Sequence, residues 1–142
     1  MKIGKYEFPE DRYYDRDHNW ALVQADGLVV QGLSDFAQDI AGEILYTEPP
    51  RQGRDLEQGK PFMSMESGKW VGRIKAVVSG KVEASNAQLE EDSALINKDP
   101  YGKGWLVKIR PSNLEAELAN LMNPTSPEFT EFMKAEMAKY GK

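Results

Sequence analysis

Residues 62–78 read FMSMESGKWVGRIKAVV, two largely apolar runs on either side of a short polar turn. Residues 62–67 predict a β-strand, residues 68–70 predict a turn, and residues 71–78 predict a returning strand. A tight turn exposes its side chains while the flanking strands fix where they begin, so we expect Lys69 near the tip of a hairpin. The stretch therefore indicates a β protein that presents one lysine.

Strand-like runs continue on both sides of this hairpin. The Asp26-Gly27 pair lies between the β-rich residues 20–24 and 28–33, and it predicts a second hairpin because both turn positions tolerate positive φ. Ser34 is placed to begin a helix and Gly42 to end it, which predicts one short helix after the second strand. Further strands are predicted at residues 43–47, 81–84 and 105–109.

The chain changes character beyond residue 110. Residues 113–122 carry leucines at helical spacing, and Pro127 suits the first turn of a second amphipathic helix. The 142 residues are enough for one modest core. We expect a single domain with an N-terminal extension (1–17) lying across its surface, a β core (18–110) and a helical tail (111–142).

Composition excludes several classes of function. The chain has no cysteine, which rules out disulfides, thiolate metal clusters and cysteine nucleophiles and is compatible with a reducing compartment. Its 18 Lys and Arg residues against 23 Asp and Glu residues give a net charge of -5, which does not attract nucleic acid or anionic lipid. No stretch approaches the roughly 18 apolar residues of a membrane span. We expect a cytoplasmic protein without nucleic-acid or membrane partners.

Few side chains are equipped for catalysis. His18 is the only histidine, and a structural or surface role is the better interpretation because no nucleophile accompanies it. Glu90, Glu91 and Asp92 are contiguous but lack the spacing and the glycine of a calcium loop, so they indicate a solvated face. The chain is therefore not expected to be an enzyme.

Five motifs, in order and at matching spacing, carry a resemblance to a known family. They are His18-Asn19-Trp20, Ser34-Asp35-Phe36-Ala37-Gln38, Glu66-Ser67-Gly68-Lys69, Asp99-Pro100-Tyr101-Gly102 and Gly104-Trp105-Leu106. Over nearly all of residues 13–121 the chain resembles the lipoyl-carrying H-protein family of the glycine cleavage system. The Glu-Ser-x-Lys motif alone occurs often by chance, and the coverage makes the resemblance specific.

The resemblance implies a fold and a cofactor. The implied fold is a lipoyl/biotinyl-type barrel-sandwich hybrid of two small sheets, with peripheral helices. The implied cofactor is lipoate, joined as an amide to the ε-amino group of Lys69 by a lipoate-attaching ligase or transferase. Glu66, Ser67, Gly68 and Trp70 would surround the attachment point, and Trp70 is expected to be exposed because it follows the turn. A surface groove would shelter the loaded arm, and the chain would be a carrier within a multi-enzyme system.

Four residues depart from the family pattern. Asn19 stands where a glutamate is common, Trp70 replaces a small residue, and Arg73 and Lys75 add positive charge beside the arm. Such changes resemble those of H-protein-like lipoate-binding proteins of the heterodisulfide-reductase-like sulfur-oxidation system. On that basis we predict a carrier of sulfur-bound intermediates that docks on a heterodisulfide-reductase-like complex.

Alternatives remain within the family and outside it. One is an H protein that carries the aminomethyl group of glycine between the glycine cleavage enzymes. Another, of a different class, is an unmodified protein-interaction module that kept the fold and lost the cofactor. Biotin attachment is disfavoured because that family flanks its lysine with methionines, and here Gly68 and Trp70 occupy those places.

Overall fold

Short strands make up most of the regular structure, and the computed structural model describes every residue from 1 to 142. The strands are β1 (Lys2–Ile3), β2 (Tyr6–Glu7), β3 (Tyr13–Tyr14), β4 (Asn19–Val23), β5 (Val29–Leu33), β6 (Ile44–Glu48), β7 (Asp55–Leu56), β8 (Pro61–Ser67), β9 (Val71–Lys75), β10 (Gly80–Ser85) and β11 (Val107–Pro111). The helices are α1 (Asp35–Ala41), α2 (Gln88–Glu91), α3 (Leu95–Lys98), α4 (Leu114–Leu118) and α5 (Pro127–Lys139). The fold is mainly β, as predicted.

Two sheets form the body of the molecule, and a short β1–β2 ribbon adds to it. One sheet has six strands in the order β3-β4-β5-β11-β10-β7, and the other has three in the order β6-β8-β9. All named strand pairs are antiparallel. The sheets do not close into a barrel. The predicted combination of two small sheets with peripheral helices is confirmed.

The two sides of the six-stranded sheet are both buried. Ala21 and Val29 belong to a 20-residue apolar cluster that also contains side chains of the three-stranded sheet. Their strand neighbours Trp20 and Val30 belong to a second cluster of 11 residues, formed with the N-terminal segment and α5. Because side chains alternate along a strand, β4 and β5 have one face in each cluster.

The predicted hairpin turns are present, although one strand is shorter than expected. Gly27 has φ +88° in the turn between β4 and β5. β9 ends at Lys75 instead of continuing to residue 78, because the buried Gln31 takes over the next backbone hydrogen bonds. Its amide Nε2 donates to the Lys75 carbonyl at 2.8 Å, and its Oε1 accepts the Val77 N–H at 3.0 Å. Gln31 thereby joins the two sheets.

The helix after β5 begins and ends where the sequence predicts. The Ser34 hydroxyl oxygen accepts the Ala37 N–H at 3.1 Å, which satisfies a free amide of the first turn. Gly42 follows the last helical residue with φ +83°, a conformation that L-residues rarely adopt. The helix therefore stops directly beside the first residue of β6.

The C-terminal region differs from the prediction in the length of its first helix. α4 covers only 114–118 of the predicted 113–122, because Met122 is drawn into a backbone bridge with Tyr14, with N–H···O distances of 2.7 and 3.0 Å. α5 begins at Pro127 as predicted, with the Ser126 hydroxyl oxygen accepting the Phe129 N–H. Its buried residues are Phe129, Met133 and Met137.

The N-terminal segment is built into the fold more deeply than a surface extension would be. Tyr6, Phe8 and Tyr14 are buried in the second cluster, where their rings pack edge to face or tilted on Phe36 and Phe129. The six-stranded sheet also begins before residue 18, because β3 pairs with β4. The expectation that residues 1–17 lie across the surface is therefore corrected. No helix of the chain combines the length and the apolar character needed to cross a membrane.

Candidate functional site

Lys69 lies at the tip of the hairpin formed by β8 and β9. A hydrogen bond of 2.7 Å from the Ser67 N–H to the Trp70 carbonyl closes the turn. The Lys69 side chain is exposed, and none of the salt bridges of the chain includes it. The hairpin thus presents a primary amine that no carboxylate of the chain competes for.

The hydroxyl group of Ser67 ties this turn to α1. It donates to the carbonyl of Ala41, the last residue of α1, at 2.5 Å, and its oxygen accepts the Lys69 N–H at 3.2 Å. Ser67 itself is buried. One side chain therefore fixes the backbone of Lys69 and anchors the tip of the hairpin to the helix.

The aliphatic part of the Lys69 side chain lies across Gly42. A Cβ atom at residue 42 would come within 2.8 Å of the Lys69 Cε and within 3.5 Å of its Cγ and Cδ, so the lysine side chain would have to shift. The φ of +83° at Gly42 is the stronger reason for glycine there. Asn97 holds the Gly42 turn from the other side. Its Nδ2 donates to the Gly42 carbonyl, and its Oδ1 accepts the Ile44 N–H, both at 2.8 Å.

The other predicted neighbours of Lys69 have different positions. Glu66 is exposed on the outer face of β8, and Gly68 is exposed in the turn with open space around it. Trp70 is half-buried, so the expectation that it is exposed is wrong. Its indole lies flat over Gly72, where a Cβ would come within 2.0 Å of the ring, and the missing side chain leaves room for it.

A groove of about 370 Å³ lies next to the turn, with Trp70 among its lining residues. Its apolar lining comes from Leu33, Ala37, Ile40, Ala41, Trp70, Ile74 and Tyr140. Its polar lining comes from Arg16, Asp17, His18, Asn19, Arg73, Lys75, Glu136 and Lys139. The groove therefore combines apolar side chains near the hairpin with a charged rim supplied by the β3–β4 connection, β9 and α5.

Asn19 is a buried residue in the lining of this groove, and its side-chain oxygen has no hydrogen bond. Its Nδ2 donates to an Asp15 carboxylate oxygen at 3.1 Å, which fixes the orientation of the amide and leaves Oδ1 without a hydrogen bond. Burial raises the pKa of Asp15 to about 6, more than its hydrogen bonds with Asn19 and Asp17 lower it. The Oδ1 atom has almost no solvent-accessible surface, so its missing hydrogen bond is a cost to the folded state and not a contact point for a group in the groove.

His18 lines the same groove without a catalytic arrangement around it. Its Nε2 and the Oε1 of Glu136 are 2.7 Å apart, and its ring stacks on Phe132. Burial lowers the pKa of His18, although Glu136 opposes that shift. No three His, Cys, Asp or Glu side chains of the chain are grouped as metal ligands. The structural interpretation of His18 fits these contacts, which attach α5 to the start of β4.

The sequence identified the turn but not the residues that support it. Gly42 was predicted only as a helix stop, and Asn97 was not predicted to have a role. In the structure Gly42 lies against the Lys69 side chain, and Asn97 holds Gly42 in place; we call the two residues the seat of Lys69. Asn19 was noted only as a departure from the family pattern, and in the structure it lines the groove. No local pattern reveals these roles, because the partners are far apart in the sequence.

Comparison with known proteins identifies the group to which the chain is related. Residues 12–136 match the family model described as "Glycine cleavage H-protein". This match covers most of the chain. The chain belongs to the glycine cleavage H-protein family. Proteins of this family are carriers and not enzymes, and they hold a covalently attached lipoate on a lysine.

Individual H proteins agree with the family match. The chain is 40% identical over 135 residues to the "Probable glycine cleavage system H protein" of Pyrococcus abyssi, covering 95% of this chain and 98% of that one. It is 42% identical over 125 residues to "Glycine cleavage system H protein 2" of Aquifex aeolicus, covering 85% and 78%. A crystal structure of a glycine cleavage system H protein from Mycobacterium marinum superimposes with a TM-score of 0.78 at 28% identity, covering 91% and 98%.

These relatives bear on the choice of pathway. The prediction of heterodisulfide-reductase-like sulfur oxidation is not supported, and the glycine-cleavage alternative fits the names of these relatives better. That prediction depended on four residues beside the arm, Asn19, Trp70, Arg73 and Lys75. The structure places all four in the lining of one groove, and a local change of charge and shape does not by itself identify a pathway.

Proposed function

We propose that this chain is a lipoyl carrier of the glycine cleavage system, with lipoate joined as an amide to the Nζ of Lys69. The observation that carries the proposal is the exposed, unpaired Lys69 amine on a turn fixed by Ser67. In this role the chain carries the aminomethyl group of glycine between the glycine cleavage enzymes. A lipoate-attaching ligase or transferase supplies the cofactor.

The residues around Lys69 fit such an arm. Gly42 lies against the methylene groups of the Lys69 side chain, and Asn97 holds the Gly42 backbone in position. A lipoyl group supplies a dithiolane that alternates between disulfide and dithiol and binds a group through sulfur. Trp70 and Ile74 provide apolar surface in the groove beside the turn, which would exclude water from a bound aliphatic chain.

The polar side of the groove suits a load with N–H donors. Asp17 and Glu136 place carboxylate groups in its lining, and carboxylate oxygens accept hydrogen bonds from an amine at the end of an arm. The ring of His18 is held by Glu136 at the same groove, so this wall is rigid. The chain's own contribution is to position the arm, shelter its load and present both to a partner.

The first test is covalent attachment. Incubation of the full-length protein with lipoate, ATP and a lipoate ligase is expected to add one lipoyl group by intact-mass spectrometry. Lys69→Arg should abolish the mass increase, because the guanidinium does not form the amide. Lys60→Arg is the matched control at the far end of the hairpin and should be modified like the parent protein. A parent protein that gains no mass, or a Lys69→Arg variant that does, contradicts the proposal.

The second test distinguishes a carrier from an interaction module. The lipoylated protein should support glycine–bicarbonate exchange by glycine decarboxylase, whereas the unmodified protein and Lys69→Arg should not. A partner that binds the parent and Lys69→Arg equally well, without any exchange activity, would favour the unmodified module.

A further inference from the structure

An exposed apolar row crosses the three-stranded sheet directly below the Lys69 turn. The register pairs Tyr46 of β6 with Glu66 of β8, and Glu66 with Val71 of β9. Met65 and Ser67 are buried, so Glu66 and its two partners point to the other side, away from the core. We call Tyr46, Glu66 and Val71 the outer row, and directly opposed Cβ spacings make it about 10 Å wide.

This row is unusual for the surface of the chain. Tyr46 is 53% and Val71 is 73% exposed, and Leu45, the extra residue at the β6 bulge, is 61% exposed beside them. Three of the four exposed large apolar side chains of the protein therefore lie together at this end of one sheet. Exposed apolar groups that cluster beside a reactive residue mark an interaction surface more often than scattered ones do.

The charge within the row has no partner in the chain. Glu66 lies between Tyr46 and Val71, and no salt bridge includes it. A protein that covers the row must offer apolar contacts on both sides and a cation at the centre, because burying a carboxylate without an opposite charge is costly.

We propose that the outer row, with Leu45, is the docking surface for the enzyme that attaches lipoate to Lys69. This inference rests on the proposed function. In the attachment step the neutral Lys69 amine attacks the carbonyl of an activated lipoyl adenylate. The amide C–N bond forms, the carbonyl–phosphate bond breaks, AMP leaves, and the amine proton passes to a base.

The attaching enzyme is chosen over the glycine cleavage enzymes because it must reach the Nζ atom of Lys69. The attaching enzyme must bring its active site to the Lys69 amine itself, so it covers the surface that flanks the turn. An enzyme that acts on the finished arm meets the dithiolane at the far end of the lipoyl chain and has no need to touch that surface. The outer row is therefore assigned to attachment, and later steps are expected to be indifferent to it.

Attachment kinetics test the assignment. Unmodified full-length protein is titrated against a lipoate ligase that modifies the parent, at saturating ATP and lipoate, with intact mass as the readout. Tyr46→Ser combined with Val71→Ser should raise the KM for the protein at least about tenfold, as expected for loss of central apolar contacts, with kcat within about twofold. Tyr46→Phe combined with Val71→Ile keeps the apolar surface and should retain the parent KM. The thermal midpoint of each variant verifies that it is folded.

Two further measurements sharpen the test. Val71→Lys should raise the KM more than Val71→Glu, because the proposed partner is cationic opposite Glu66. The serine double variant, once fully lipoylated by long incubation, should support glycine–bicarbonate exchange at the parent rate.

Four results would overturn the inference. For the serine double variant they are a KM equal to that of the parent, a fall in kcat alone, and a parent rate of attachment combined with slower glycine–bicarbonate exchange. For the single variants the contradicting result is a larger rise in KM for Val71→Glu than for Val71→Lys. Each leaves the proposed function intact, since that is judged on the parent protein and Lys69→Arg, by lipoyl attachment and by glycine–bicarbonate exchange.

Discussion

Asp15 and Asn19 form a buried polar pair whose state depends on pH. The Asp15 carboxylate accepts the backbone N–H groups of Asn19 and Asp17 and the side-chain amide of Asn19. These bonds hold the carboxylate in place, yet burial still raises the pKa of Asp15 from 3.8 to about 6. At neutral pH, the free energy lost by removing the Asp15 carboxylate from water is therefore larger than the free energy gained from its hydrogen bonds.

The contribution of Asp15 to the unfolding free energy should therefore fall as pH rises from about 4 to about 6, whereas the lowered pKa of His18 makes its contribution rise as pH approaches 6.5. In that window folded Asp15 keeps a proton that the unfolded chain has lost, so acid favours the folded state. The upper limit is about 3 kcal/mol, at 1.36 kcal/mol per pKa unit. In urea denaturation at pH 4, 5, 6 and 7, the unfolding free energy of the parent relative to that of Asp15→Asn should decline with rising pH, because the His18 contribution is common to both proteins. Asp55→Asn removes an exposed carboxylate and should keep the decline; an Asp15→Asn profile like the parent's would contradict the assignment.

The β8–β9 hairpin and α1 act as one unit because Ser67 joins them. Its hydroxyl bonds to the Ala41 carbonyl and to the Lys69 N–H, so the lysine begins from a fixed point relative to the helix. Both of these hydrogen bonds depend on the single buried side chain of Ser67.

Removing that hydroxyl should loosen the turn. Ser67→Ala leaves a carbonyl and an amide without their partner, which should lower the unfolding free energy by about 1–3 kcal/mol. We also expect a lower kcat/KM for lipoate attachment, measured by intact mass, because Lys69 is less well positioned. Ser64→Ala, on the same strand and without a side-chain hydrogen bond in the chain, should leave both quantities near the parent values. Equal effects of the two substitutions would mean that Ser67 has no special role in the turn.

Elements whose ends are set by neighbouring residues could be predicted from the sequence, whereas ends set by distant contacts, and the groove, could not. Ser34 and Gly42 mark α1 within eight residues, and its limits were correct. The early end of β9 depends on Gln31, which is 46 residues from the Val77 amide that it accepts. The groove is harder still, because His18 and Glu136 meet across 118 residues. A single sequence carries no local record of such contacts.

The whole chain is organised around the six-stranded sheet, and each face of this sheet packs in a different apolar cluster. Ala21 and Val29 face one cluster, and Trp20 and Val30 face the other, so neither cluster can lose its packing without disturbing β4 and β5. We propose on this basis that residues 1–142 are a single cooperative domain, although the core consists of two parts.

Calorimetry should therefore show one transition, with the calorimetric enthalpy equal to the van't Hoff enthalpy. Met133→Ala opens a cavity in the second cluster and should lower stability by about 2–5 kcal/mol. It should shift the entire transition by several degrees, at about 2–4 °C per kcal/mol, without splitting it. Lys134→Ala, exposed on the same helix, is the control and should change the midpoint little. Two resolved transitions in Met133→Ala would show that the clusters unfold independently.

The hydrogen bonds that seat Lys69 span long stretches of chain, 26 residues from Ser67 to Ala41 and 55 from Asn97 to Gly42. During synthesis on the ribosome, residues 66–69 (Glu-Ser-Gly-Lys) emerge well before Asn97 does. The nascent hairpin therefore lacks its seat until about two-thirds of the polypeptide has been made. Cofactor loading is expected only after that point, and an excised peptide with the same four residues would be a poor substitute for the whole protein.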